Sequence, residues 1–140
     1  MITEIAIQRD ASFCLWTPNV HDGVIEGISI DGDKKFGVFF KKGKEKFSLV
    51  IEDLHTYRLM NFNIFSGITE IFLGTFSELS EVHFPNGEDP WATANPPYLN
   101  NQELQFRRKS VGENSQLLLI LLEYDGFISV VGKKISAYKI

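Results

Sequence analysis

Residues 20–51 read VHDGVIEGISIDGDKKFGVFFKKGKEKFSLVI, and the alternation in this stretch decides the fold class. Phe36, Val38 and Phe40 recur at every second position, as do Phe47, Leu49 and Ile51, and Val24, Glu26, Ile28 and Ile30 share the same spacing. Successive side chains on a strand point to opposite faces, so a two-residue period sets one apolar face on a core and the other in water. The breaks, Asp31-Gly32-Asp33-Lys34 and Lys41-Lys42-Gly43-Lys44-Glu45, join glycine to charged neighbours, which is hairpin-loop composition. Three strands therefore form an antiparallel meander, and the pattern runs on less regularly to Leu73.

Working outward, Thr3 to Gln8 alternates and reads as a first strand, and Phe13 to Thr17 as a second, stopped by Pro18-Asn19. After the meander, Leu54 to Phe62 keeps the two-residue period, Asn63 to Gly67 is a loop or bulge, and Ile68 to Phe76 is a further strand. A helix from Ile64 to Leu73 competes, but Gly67 and the β-branched residues oppose it. Leu104 to Ser110 alternates. Leu117 to Leu122 is continuously apolar, too short for a helix, and reads as a strand buried on both faces at the centre of the fold. Phe127 to Val131 and Ile135 to Ile140 would close the chain as a hairpin around Gly132-Lys133. The expected fold is one all-β domain over residues 1–140, with about 8–10 short strands and at most one short helix. The meander would close into a two-layer sandwich or a partly open barrel.

Length and composition limit the functions open to such a domain. A chain of 140 residues holds together on its own core, and its twelve Phe are expected to dominate that core at ~1.5–3 kcal/mol per buried ring. Fourteen basic and eighteen acidic residues give a net charge of −4, which disfavours nucleic acid as the main partner. Cys14, the single cysteine, excludes an intramolecular disulfide and reads as a small buried hydrophobe. The N-terminus carries Glu4, Arg9 and Asp10 and lacks a signal-peptide core, and no run approaches the ~20 apolar residues that span a bilayer. The expected location is the cytoplasm, with no membrane partner.

Local chemistry is sparse. His21, His55 and His83 show neither HxxxH nor CxxC spacing, and no metal ligand or cofactor is assigned. His21-Asp22 would form a base and its orienter only if adjacent strand residues shared a face, which they do not, so Asp22-Gly23 reads as a turn. A positive φ at Gly23 would make Gly23→Ala destabilising. The carboxylate pairs Glu78/Glu81 and Glu88/Asp89 read as solvated loop charges, and no catalytic residue is assigned. Of the basic clusters, Lys41 to Lys46 keeps a hairpin soluble, and Arg107-Arg108-Lys109 ends a strand. Phe84 to Leu99 differs in kind, with four of the five prolines. There Trp91 and Tyr98, rimmed by Glu88 and Asp89, form the candidate partner-binding site. The competing reading folds Trp91 back as a plug of the core.

Three motifs carry a resemblance: His21-Asp22-Gly23 opening an alternating strand, Asn61-Phe62-Asn63 followed by Ile68, and Tyr124-Asp125-Gly126-Phe127-Ile128. With them the chain resembles small bacterial all-β proteins of uncharacterised function, including immunity proteins of polymorphic toxin systems. The resemblance implies a cytoplasmic, non-enzymatic protein that binds and blocks a partner protein, a toxin, and it supplies no catalytic residue. The alternatives are a β-barrel or sandwich enclosing a small apolar ligand, and an enzyme whose site no local motif reveals.

Overall fold

The computed structural model describes residues 2–31, 34–75, 77–79 and 114–140. The strands among them are β1 (Thr3–Ile5), β2 (Gln8–Arg9), β3 (Leu15–Thr17), β4 (Val24–Asp31), β5 (Lys35–Lys42), β6 (Glu45–Glu52), β7 (Thr56–Met60), β8 (Ile68–Thr75), β9 (Gln116–Leu122), β10 (Phe127–Gly132) and β11 (Lys134–Lys139). They build a five-stranded antiparallel sheet, β1-β11-β6-β5-β4, and a four-stranded one, β7-β10-β9-β8. The pair β2-β3 stands apart. Neither large sheet closes into a barrel, so the fold is an all-β sandwich. Eleven described strands slightly exceed the expected number because the N-terminal ones are only two or three residues long.

The meander is present with the expected spacing. Phe36, Val38 and Phe40 of β5 pair with Ile51, Leu49 and Phe47 of β6, and all six are buried. They meet Ile71 and Leu73 of β8, Leu118 and Ile120 of β9, and Ile128 and Val130 of β10 in one cluster between the sheets. Among the described residues branched aliphatic side chains supply most of this cluster, with Phe36, Phe40 and Phe47 as its buried rings. The apolar run Leu117 to Leu122 is a strand between two neighbours, buried on both faces as its composition predicts. Leu118, Ile120 and Leu122 face the main core, while Leu117 and Leu119 join Phe72, Leu79 and Val131 in a second cluster on the outer face.

Four expectations are corrected. Thr3 to Gln8 is not one strand: β1 pairs with β11, and β2 turns away to pair with β3. On β4 a bulge lies between Ile25 and Gly27, with Glu26 the extra residue. One added residue inverts the alternation. Ile25, Ile28 and Ile30 therefore pair with Phe40, Val38 and Phe36, with Ile25 buried, Ile28 packed on the core and Ile30 exposed, whereas Val24 pairs with Lys41. The hairpin at Gly132-Lys133 does not form either. A single residue, Lys133, links β10 in one sheet to β11 in the other, where its N–H donates to Glu52 O at 3.0 Å. One residue cannot reverse a chain, but it can carry a strand across a sandwich. Beside it β6 crosses to β7, with Asp53 at φ 52° and His55 N–H donating to Val131 O at 2.8 Å.

The fourth correction concerns His21-Asp22-Gly23. Asp22, not Gly23, takes the left-handed conformation, at φ 65°. Gly23 is required for space: a Cβ there would lie 2.8 Å from Lys41 O and 2.9 Å from Val20 O.

A helical turn lies at residues 77–79. Thr75 Oγ1 accepts from Glu78 N–H at 3.3 Å while Glu78 Oε1 accepts from Thr75 N–H at 2.9 Å, a reciprocal capping box. Arg9 fastens the β2–β3 pair to this junction, donating to Leu73 O at 3.0 Å and to both Glu78 carboxylate oxygens at 3.3 Å. Its guanidinium also lies 5.0 Å from the Phe13 ring centroid. Among the described residues no helix is long and apolar enough to cross a membrane.

Candidate functional site

Glu88, Asp89, Trp91 and Tyr98, the residues the sequence singles out, lie outside the described residues. So do Glu81, His83, Arg107-Arg108-Lys109 and the strand expected from Leu104 to Ser110. Thr75 and Gln116 face each other across β8 and β9 in register.

The other end of the sandwich gathers the link into β4, the β5–β6 hairpin, the β7–β8 link and the β9–β10 turn. The two sheets are joined there by a bridge between Val24 and Gly67. Backbone bonds fix the join: Ile68 N–H donates to Gly23 O at 2.9 Å, Phe65 N–H to Ile25 O at 2.7 Å and Glu123 N–H to Gly67 O at 3.0 Å. The loops here are therefore parts of the ladder rather than free connections.

This end concentrates left-handed backbone. Asp22 (65°), Asn61 (49°), Phe65 (70°), Tyr124 (59°) and Asp125 (60°) all take positive φ. Asn and Asp tolerate that conformation, but aromatic residues have no such compensation, and αL costs an L-residue about 1–2 kcal/mol. The two aromatic rings bury little in return, with Phe65 68% and Tyr124 93% exposed. Tyr124 and Asp125 follow the φ pattern of a type I′ turn, closed by Gly126 N–H donating to Glu123 O at 3.3 Å. Beside the turn runs an open groove of about 480 Å³ lined by Thr69, Leu121, Tyr124 and Phe127, with Glu123 and Asp125 as its acidic members. Nothing in turn chemistry selects Tyr at position 124, so the sequence held no signal for this site beyond the motif Tyr124-Asp125-Gly126 itself.

The remaining candidates resolve into structural roles. His21 Nδ1 and Asp22 Oδ1 approach to 3.3 Å because both lie in a turn instead of a strand, yet both side chains are solvated. Cys14 bridges by backbone to Phe72, and burial pushes its thiol pKa up, the wrong direction for a nucleophile. Glu78 is a capping residue rather than a solvated loop charge. The Thr75 N–H holds its carboxyl below the usual carboxylate range; burial opposes this and Arg9 assists. Thr75-Phe76-Ser77-Glu78 is a legible T-x-x-E signature that the strand reading through Phe76 passed over. Among the described residues no three His, Cys, Asp or Glu side chains converge as a metal ion would need.

Compared with family models, curated proteins and solved structures, the chain finds no match.

Proposed function

We propose that this chain is a non-enzymatic binding protein of the immunity type, which neutralises a partner protein by covering its working surface. The observation that carries the reading is Tyr124, an almost fully exposed ring on strained backbone, at an end where the two sheets are hydrogen-bonded together. Strain of this kind persists where the surroundings over-determine it, and such sites cluster at ligand clamps. Exposed tyrosine on a rigid frame is also the economical form of an interface anchor, with few rotamers to freeze on binding. The net charge of −4 and the resemblance of the sequence to immunity proteins lend further support, since opposite fields speed encounter with a basic partner.

The test is purification of the tagged chain from its source cell, followed by an activity assay of whatever co-purifies stoichiometrically. The expected result is one partner protein whose activity falls when the chain is added back. A chain that turns over a small molecule without any partner would overturn the reading. Running the same capture with Trp91→Ala and Tyr124→Ala separates the proline-rich stretch from the β9–β10 turn as the binding surface.

A further inference from the structure

The β9–β10 turn has a feature that exposure alone does not explain. Leu121 and Phe127 are register partners at the ends of β9 and β10, and Glu70 of β8 is the register partner of Leu121 on its other side. A row of Glu70, Leu121 and Phe127 thus leads up to the groove beneath Tyr124. The groove combines an apolar floor with carboxylates, Glu123 and Asp125, neither of which has a side-chain hydrogen bond or ion pair among the described residues. The cation facing this row from the neighbouring strand is Arg58, whose guanidinium lies 5.3 Å from the Phe127 ring centroid. Among the described residues three carboxylates stand here against one guanidinium, an excess of negative charge. The Arg58 contact also shows that the Phe127 ring accepts a guanidinium within this chain.

We infer that the groove beside Tyr124 receives an arginine side chain presented by a basic partner protein, an inference that rests on the binding-protein reading above. The side chain matches the groove part by part. Its apolar stem lies along Leu121 and Phe127, as long cationic side chains do on apolar surface. Its guanidinium meets Glu123 and Asp125 with the Tyr124 ring against its plane, a combination of charge-assisted hydrogen bonds and cation–π attraction. Arginine fits better than lysine because its planar fork can bond two carboxylates and stack on a ring together, whereas an ammonium is a compact point charge.

The experiment is NMR titration of the full ¹⁵N-labelled chain with a blocked Gly-Arg-Gly peptide, and in parallel with its citrulline counterpart, which keeps the shape and loses the charge. The arginine peptide should bind in roughly the millimolar range, as expected for one side chain, with saturable shifts centred on Thr69 and residues 121–127. The citrulline peptide should bind at least about tenfold more weakly, and Asp125→Asn and Tyr124→Asn should each lower arginine affinity by about fivefold or more. Asn tolerates left-handed backbone, so Tyr124→Asn removes the ring without unfolding the turn, and the variant's own spectrum verifies this. Equal shifts from the two peptides, shifts centred elsewhere, or variants that bind like the parent would overturn the inference. Partner neutralisation that survives both substitutions also overturns it, while leaving the binding-protein reading intact. Arginine-peptide binding at the groove in a chain that neutralises no partner protein has the reverse meaning: the binding-protein reading falls and the groove chemistry stands.

Discussion

The β5–β6 and β9–β10 turns lie at the same end of the sandwich and reverse the chain in opposite styles. The first uses Gly43 at φ 62°, where a Cβ would find open space, and surrounds it with Lys41, Lys42 and Lys44. The second places Tyr124 and Asp125 at φ 59° and 60° and keeps its glycine one residue later, at Gly126. In the first turn each residue suits the backbone it occupies. In the second a bulky ring occupies a conformation that glycine or asparagine would hold at lower cost. The contrast marks where local stability has been given up, and loss of local consistency is expected at functional positions.

The largest test of this contrast is Gly126→Ala. Its Cβ would lie 2.8 Å from Asn61 O and 3.3 Å from both Met60 O and Leu122 Cβ, so the backbone at Met60 and Asn61 would have to move. Urea unfolding should show a loss of about 2–3 kcal/mol, the scale of overpacking a closed site. A loss below about 1 kcal/mol would mean that the β7–β8 link is looser than its hydrogen bonds indicate, and the frame proposed for Tyr124 would weaken with it.

Gly43→Ala comes next, at about 1 kcal/mol, because only the left-handed φ opposes it. Tyr124→Asn should move stability the other way, by roughly 0.5–1 kcal/mol, as an αL-tolerant residue replaces a strained one that buries almost nothing. Thermal unfolding of both variants beside the parent checks the pair. A destabilised Tyr124→Asn would show that the ring supports the fold, which removes the argument that strain is kept there for binding.

How far the sequence discloses all this depends on what each feature needs from it. The meander and the doubly apolar strand at Leu117 to Leu122 are legible because period and composition carry the information directly. The β4 bulge is not, since Val24 and Ile25 offer an apolar residue to either register and only pairing with Phe40 selects Ile25. The crossing at Lys133 hides for a related reason: a glycine and a lysine between two strands suit a hairpin as well as a change of sheet. The Thr75–Glu78 cap was open to reading, but the apolar alternation through Phe76 masked it. The groove at Tyr124 is illegible in principle, because tyrosine announces neither a turn nor a left-handed φ. Glu88, Asp89, Trp91 and Tyr98 stay expectations of the sequence alone.

The smallest effect comes from a carboxylate used in the opposite way to Glu123 and Asp125. Glu78 spends its charge on its own chain, accepting from Thr75 N–H at 2.9 Å and from Arg9, and these bonds hold its pKa below the ordinary 4.5. A group whose folded pKa is lowered stabilises the protein above its unfolded pKa, and that contribution is lost as pH falls through the folded value. The gap in urea midpoint between the parent and Glu78→Gln should therefore stay constant from pH 7 to about 5 and shrink below about 4.5. With its side chain 31% exposed, the pair with Arg9 is screened, and the neutral-pH gap should be no more than about 0.5–1 kcal/mol. A gap that widens on acidification would mean that the carboxyl is held above its ordinary value, contrary to the cap geometry. A gap with the predicted sign places Glu78 with Gly43 among residues that serve the fold, in contrast to Tyr124, whose ring buries almost nothing on a backbone that disfavours it.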